Sequence, residues 1–151
     1  ATQMPNVMEL DLSKAIALLR EEGFKQIRIR TVQPDSQIAA EESVVAQNPS
    51  PNISVAADAA VELSVCRSQL GNYAAEVAFN LDIAAGPGVV TVTAKLEDGL
   101  ELVIYETTLP VGSQQSVSFT AYLQKAGQYE CTVYVDGVVV RSGQIGFEYR
   151  R

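Results

Sequence analysis

Arg28 and Arg30 stand two residues apart in the run Gln26–Val32, where Ile27 and Ile29 alternate with them. Side chains alternate between the faces of a strand, so this spacing puts both guanidiniums on one exposed face. Two planar cations so placed have the geometry to grip a carboxylate as a fork. Glu41 and Gln47 supply a carboxylate and an amide that suit ammonium and amide groups of the same ligand, provided the fold brings them near. Arg28, Arg30, Glu41 and Gln47 are therefore the candidate ligand-binding residues. The competing reading is that both arginines keep a sheet face soluble and pair with nearby glutamates.

Catalytic chemistry finds no such footing. The chain has no histidine and two cysteines, which removes the common zinc sets and every histidine-based triad or dyad. Glu21-Glu22 and Glu41-Glu42 are adjacent in sequence and so face different directions on a helix or a strand; they read as solvated charges. Gly86 and Gly88 lack both the G-x-G-x-x-G spacing and a following helix, and Pro87 fits a turn. The serines have no obvious activating base. No catalytic residue, metal site or cofactor is expected, and the chain reads as non-catalytic. Cys66 and Cys131, 65 positions apart, could form one disulfide, but the sequence does not show that they approach each other, and they read more readily as two reduced, apolar strand residues.

The elements that must position these residues are set by composition first. Of 151 residues, 47% are hydrophobic, 7% are aromatic and none is tryptophan, so the cores are aliphatic and suffice for one large or two small domains. The net charge of −7 is spread evenly, with six basic against nine acidic residues through Leu70 and five against nine from Gly71. Neither half carries a basic patch, and no nucleic-acid partner is expected. No run of 18 apolar residues and no signal-like segment is present, so no membrane insertion by this chain is expected. The start at Ala1-Thr2-Gln3, without a methionine, predicts a fragment whose anchoring segment lies upstream.

Leu12, Ala15, Ile16 and Leu19 recur at i, i+3, i+4 and i+7, an amphipathic helix with Asp11 as N-cap and Gly23 as its left-handed terminator. Strands are predicted at Gln26–Val32, Ser43–Gln47 and Val61–Val65, with turns at Gln33–Ser36 and Asn48–Asn52 and a brief extended piece at Ile53–Val55. The opening Met4-Pro5-Asn6-Val7, the helix ending at Gly23, Val44-Val45-Ala46-Gln47-Asn48-Pro49 and the closing Val61-Glu62-Leu63-Ser64-Val65 together resemble a PASTA domain. This is the extracellular repeat of bacterial serine/threonine receptor kinases and some penicillin-binding proteins. Two family glycines are replaced by Asn52 and Asp58, residue types that tolerate the left-handed conformation.

From Tyr73 the helical period disappears. Seven strand-like runs are predicted: Tyr73–Ile83, Val89–Glu97, Leu100–Leu109, Ser116–Leu123, Gln128–Val135, Val138–Arg141 and Gln144–Tyr149. Asp98-Gly99 and Asp136-Gly137 are two-residue hairpin signals. The expectation is an all-β antiparallel sandwich. Tyr129-Glu130-Cys131 resembles the Y-x-C segment of immunoglobulin domains, although no earlier cysteine or tryptophan completes that pattern in this half. The likeness is one of Ig-like architecture, with Tyr129 placed for a corner hydrogen bond. A sandwich after a last PASTA repeat is similar to the C-terminal region of Firmicutes PASTA kinases.

The expected organisation is an α+β PASTA domain at 1–68, with one helix on about three strands, a short linker at 69–72, and an Ig-like sandwich of about seven strands at 73–151. The resemblance implies an extracellular location, at the outer face of the cell membrane or in the wall, in the ectodomain of a single-pass kinase. It implies peptidoglycan fragments (muropeptides) or lipid II as partners, with division or wall-synthesis proteins as further ones. The alternatives are a structural spacer or protein-docking module, or the C-terminal part of a penicillin-binding protein.

Overall fold

The stripe of Leu12, Ala15, Ile16 and Leu19 becomes a helix because both of its ends are closed locally. The structure is a computed structural model that describes residues 2–32, 42–56, 58–67, 71–84, 87–96 and 99–149. In it α1 spans Leu12–Glu21 and buries Ala15, Ile16 and Leu19. The Asp11 carboxylate accepts the Ser13 backbone N–H at 3.2 Å. At the other end Gly23 adopts φ 98°, its N–H donates to the Arg20 carbonyl and the Phe24 N–H donates to the Leu19 carbonyl, each at 3.0 Å. These two bonds form a Schellman motif, which satisfies the last carbonyls and turns the chain inward. Phe24 follows it, fully buried.

The chain divides into two compact units, Ala1–Gln69 and Leu70–Arg151. In the first, β1 (Thr2–Gln3) precedes α1, followed by β2 (Ile27–Val32), β3 (Val44–Asn48), β4 (Ser54–Val55) and β5 (Val61–Cys66). β2 runs parallel to β5 and β3 antiparallel to it, giving the order β3-β5-β2, while β1 pairs with β4. Ile27, Ile29, Val44, Val61, Leu63 and Val65 are buried, as are Ala15, Ile16 and Leu19 of α1, Met4, Val7 and Phe24, the apolar interior of this unit among the described residues. The lead-in is stitched down along its length. Met4 exchanges backbone bonds with Asn52 and Ile53, Glu9 donates to Val44, and Val44 donates to Leu10, at 2.8–2.9 Å. Asn52 stands at φ 67°, the left-handed conformation its residue type tolerates. The turn predicted at Gln33–Ser36 lies outside the described residues.

The second unit holds β6 (Tyr73–Ile83), β7 (Gly88–Lys95), β8 (Glu101–Leu109), β9 (Gly112–Leu123), β10 (Gly127–Val135) and β11 (Val138–Tyr149). Their order is β8-β7-β10-β11-β6-β9, antiparallel throughout the described pairs. Leu81 and Ile83 of β6 and Val117 of β9 pack against Val90 and Val92 of β7 and Val133 of β10, so two layers share one aliphatic core. Tyr105 and Phe119 stack beside it with ring centroids 4.1 Å apart. The Tyr129 hydroxyl donates to the Lys125 carbonyl at 2.7 Å, the corner bond its sequence context suggests. Asp136 and Gly137 take φ 50° and 82°, the paired positive values of a tight hairpin, and Asp136 is held by Val89 through its backbone and side chain. Asp98 of the other hairpin signal lies outside the described residues.

One difference from the sequence reading concerns the end of the chain. The two runs expected at Val138–Arg141 and Gln144–Tyr149 form the single strand β11. Ser142 and Gly143 stay in register with Thr132 and Cys131 of β10, so cross-strand pairing carries the ladder through residues that read as a break.

Both cysteines are free and buried. Burial, reinforced by the neighbouring Glu130, pushes the Cys131 thiol up from 9.0 to about 11. The native state therefore holds its proton where the unfolded chain releases it, and stability is lost as pH climbs from about 9 through 11. Two free thiols are expected in denaturant without reductant, against very slow iodoacetamide labelling of the native protein at pH 8. Cys131→Ala should flatten the alkaline loss of stability; an unchanged alkaline slope in urea titrations would contradict this assignment.

Candidate functional site

The first unit's sheet has two unlike faces. In the β2–β5 register Arg28 lies opposite Glu62 and Arg30 opposite Ser64. In the β3–β5 register Asn48 lies opposite Glu62 and Ala46 opposite Ser64. Directly opposed residues share a face, so Arg28, Arg30, Glu62, Ser64 and Asn48 form one polar surface across three strands. Ile27 and Ile29 point to the other side, where they are buried. The alternation that marked Arg28 and Arg30 as neighbours on one face holds in the structure, with both side chains half-buried.

Their surroundings differ from a bare cationic fork. The Arg30 Nε donates to the Glu62 carboxylate, so Arg30 is already engaged by a neighbour on β5. A ligand carboxylate arriving there competes with Glu62 for Arg30. Glu62, Asn48 and Ser64 were not among the sequence candidates, because only the register of three strands reveals that they border the arginines. The signal available in sequence was the polar phase of Val61–Val65, where Glu62 and Ser64 alternate with apolar residues.

Gln47 lies opposite Leu63, in the phase of the sheet that faces away from Arg28 and Arg30. Its polar atoms are used internally. Oε1 accepts the Val7 N–H at 2.9 Å, and Nε2 donates to the carbonyls of Pro5 and Pro49 at 3.0 and 3.1 Å. One amide thus fastens the lead-in before α1 to the turn after β3, where the Asn48–Pro49 peptide bond is cis. Glu41, the fourth candidate, lies outside the described residues.

Glu42 departs from the solvated role its sequence suggested. Arg67 is only 8% exposed, and its Nε and Nη2 donate to the two Glu42 carboxylate oxygens at 2.6 and 2.9 Å. The Glu42 backbone, at φ 65°, accepts from Leu12 and donates to the Cys66 carbonyl. This two-pronged ion pair ties the chain just before β3, where the Glu42 backbone also holds the start of α1, to the end of β5. Losing one partner of such a pair leaves a charge without compensation, which marks it as a structural tie. Among the described residues no group of acidic or cysteine side chains could hold a metal ion, and no helix is long and apolar enough to cross a membrane.

Residues 2–67 match the PASTA domain family. No curated protein matches the chain. Among solved structures, the chain is similar to the extracellular region of the Ser/Thr kinase PrkC from Staphylococcus aureus, at 19% identity and a TM-score of 0.39. That similarity covers 95% of this chain and 50% of the other, so the chain spans about half the length of that region.

Proposed function

We propose, from the premise that residues 2–67 are a PASTA domain, that the chain belongs to the extracellular sensor region of a bacterial serine/threonine kinase. In this reading the first unit recognises peptidoglycan fragments or lipid-linked wall precursors. The observation that carries the site is the polar face on which Arg28 and Arg30 stand side by side. Muropeptides present free carboxylates, and stem peptides often carry an ammonium as well. Arg28 and Arg30 take the carboxylate, while Glu62 suits the ammonium and Asn48 the peptide groups. Gln47 supports the fold behind this face and does not touch the ligand. The second unit is an Ig-like module that follows the repeat. Signalling proceeds by gathering or aligning kinase chains on wall fragments, with no change of shape required inside this segment.

The test is a titration of the isotopically labelled chain with muropeptides and lipid II head-group analogues, followed by NMR. Amides of Arg28, Arg30, Asn48, Glu62 and Ser64 are expected to move, and Arg28→Gln with Arg30→Gln should weaken binding about tenfold. The proposal fails if no resonance of the first unit shifts at millimolar ligand.

A further inference from the structure

β11 pairs with β10 along most of its length, yet among the described residues it meets β6 only at Glu148↔Ala74 and Tyr149↔Tyr73. Beyond those two pairs the strands part. Glu76 to Phe79 on β6 and Arg141 to Ile145 on β11 become opposite walls of a groove of about 310 Å³, floored by Val92, Cys131 and Val133. That volume lies at the lower end of the range for ligand sites. Parting also leaves the outer edge of β11 without a ladder partner over this stretch, and an open strand edge is a template for another strand.

Three features of β11 give this groove a chemistry. Val133 pairs with Arg141 and Tyr134 with Val139, so Val140 is an extra, bulged residue. A bulge redirects the side chains that follow it. Arg141 comes next, and its guanidinium carbon lies 5.6 Å from the centroid of the Phe79 ring, across the groove. A cation over an aromatic face is held by the ring's quadrupole. Among the described residues Arg141 has no carboxylate partner, in a half of the chain where nine acidic residues face five basic ones. Gly143, on the same wall, has nothing within 4 Å of where a Cβ would stand, which leaves room for a second backbone to approach. Val138, Val139 and Val140 continue the strand at 65%, 57% and 49% exposure, an apolar run just beyond the groove.

We propose that the groove between β6 and β11 binds an extended acidic peptide, which adds as a short strand along β11 and pairs a carboxylate with Arg141. Charge complementarity selects this occupant. Arg141 calls for an anion on the β11 side, Glu76 on the β6 wall disfavours one there, and the apolar floor accepts alternate side chains of an extended backbone. A bare anion would leave that floor uncovered. The site is separate from the wall-binding face and stands or falls without it.

The probe is acetyl-Val-Asp-Val-Asp-Val-amide, titrated into the labelled chain, with the same peptide bearing lysine for aspartate as the comparison. Amides of Glu76 to Phe79 and Arg141 to Ile145 are expected to shift with the acidic peptide and to respond at least fivefold more weakly to the basic one. Arg141→Gln, whose remaining spectrum should superimpose on the parent, is expected to lower affinity about tenfold. Gly143→Val should block the approach of the peptide. The proposal is overturned if those amides stay still at millimolar peptide, if both peptides act equally, or if Arg141→Gln binds as tightly as the parent. It is equally overturned if the same amides move on simple concentration of the protein, because the occupant is then a second copy of the chain.

Discussion

Gly71→Ala is expected to destabilise the second unit by about 3 kcal/mol or more, because the glycine sits where no side chain fits. A Cβ built there would stand 2.0 Å from the Leu123 carbonyl oxygen, 2.3 Å from its carbon and 2.7 Å from the Gln124 nitrogen. All three are backbone atoms and cannot rotate aside. The position also has φ 139°, which an L-residue with a side chain adopts only at a cost. A small domain is stable by only about 5–15 kcal/mol, so this change takes a large share and lowers the melting temperature by roughly 10–20 °C. Gly127→Ala is the natural control. Its φ is 136°, nearly the same, but nothing lies within 4 Å of the new Cβ. If calorimetry gives equal losses for the two variants, close approach is not what fixes Gly71.

Gln47→Leu should destabilise the first unit by about 2–4 kcal/mol with little change in the face that carries Arg28 and Arg30. The replacement keeps the size of the side chain and removes its amide. That strands the Val7 N–H and the carbonyls of Pro5 and Pro49, each now bonded to Gln47. Orphaned backbone groups in a partly buried place cost about 1 kcal/mol or more each. The first unit has a thin core, so its urea midpoint should fall well below that of the parent. Affinity for any ligand of the opposite face, measured under conditions where the variant is still folded, should be retained. Loss of affinity at full stability would instead place Gln47 in the binding site.

These two residues show where the sequence stops speaking. The helix was legible because its determinants are local: the stripe, Asp11 and Gly23 all lie within thirteen residues of chain. The same holds for the hairpin at Asp136-Gly137 and for Tyr129, whose hydroxyl partner is four residues away. The pairing of Arg28 with Arg30 on one face follows from strand alternation alone. Whether Gln47 joins them depends on two strand registers at once, one parallel and one antiparallel, and nothing local to Gln47 encodes either. The tie between Glu42 and Arg67 spans 25 residues, so Glu42 looked like an ordinary solvated acid. Gly71 looked like part of a linker because its neighbour in space, Leu123, is remote in sequence. Ser142 and Gly143 read as a break because local propensity argues for one, whereas continuous pairing with β10 overrides it.

The meeting of Tyr73 with Tyr149 has a mechanical meaning. The unit's first strand, β6, starts at Tyr73 directly beside Tyr149 at the end of its last strand, β11, with the two rings edge-on at 5.8 Å. Hydrogen bonds between antiparallel strands lie across the strands. Tension applied at these two ends therefore pulls along the bonds and loads them one after another, in the manner of a zipper. A strand pair gripped at opposite ends would share the load among all its bonds at once. By this geometry the unit yields to traction from its own ends by peeling, and its resistance resides in the few contacts at that corner.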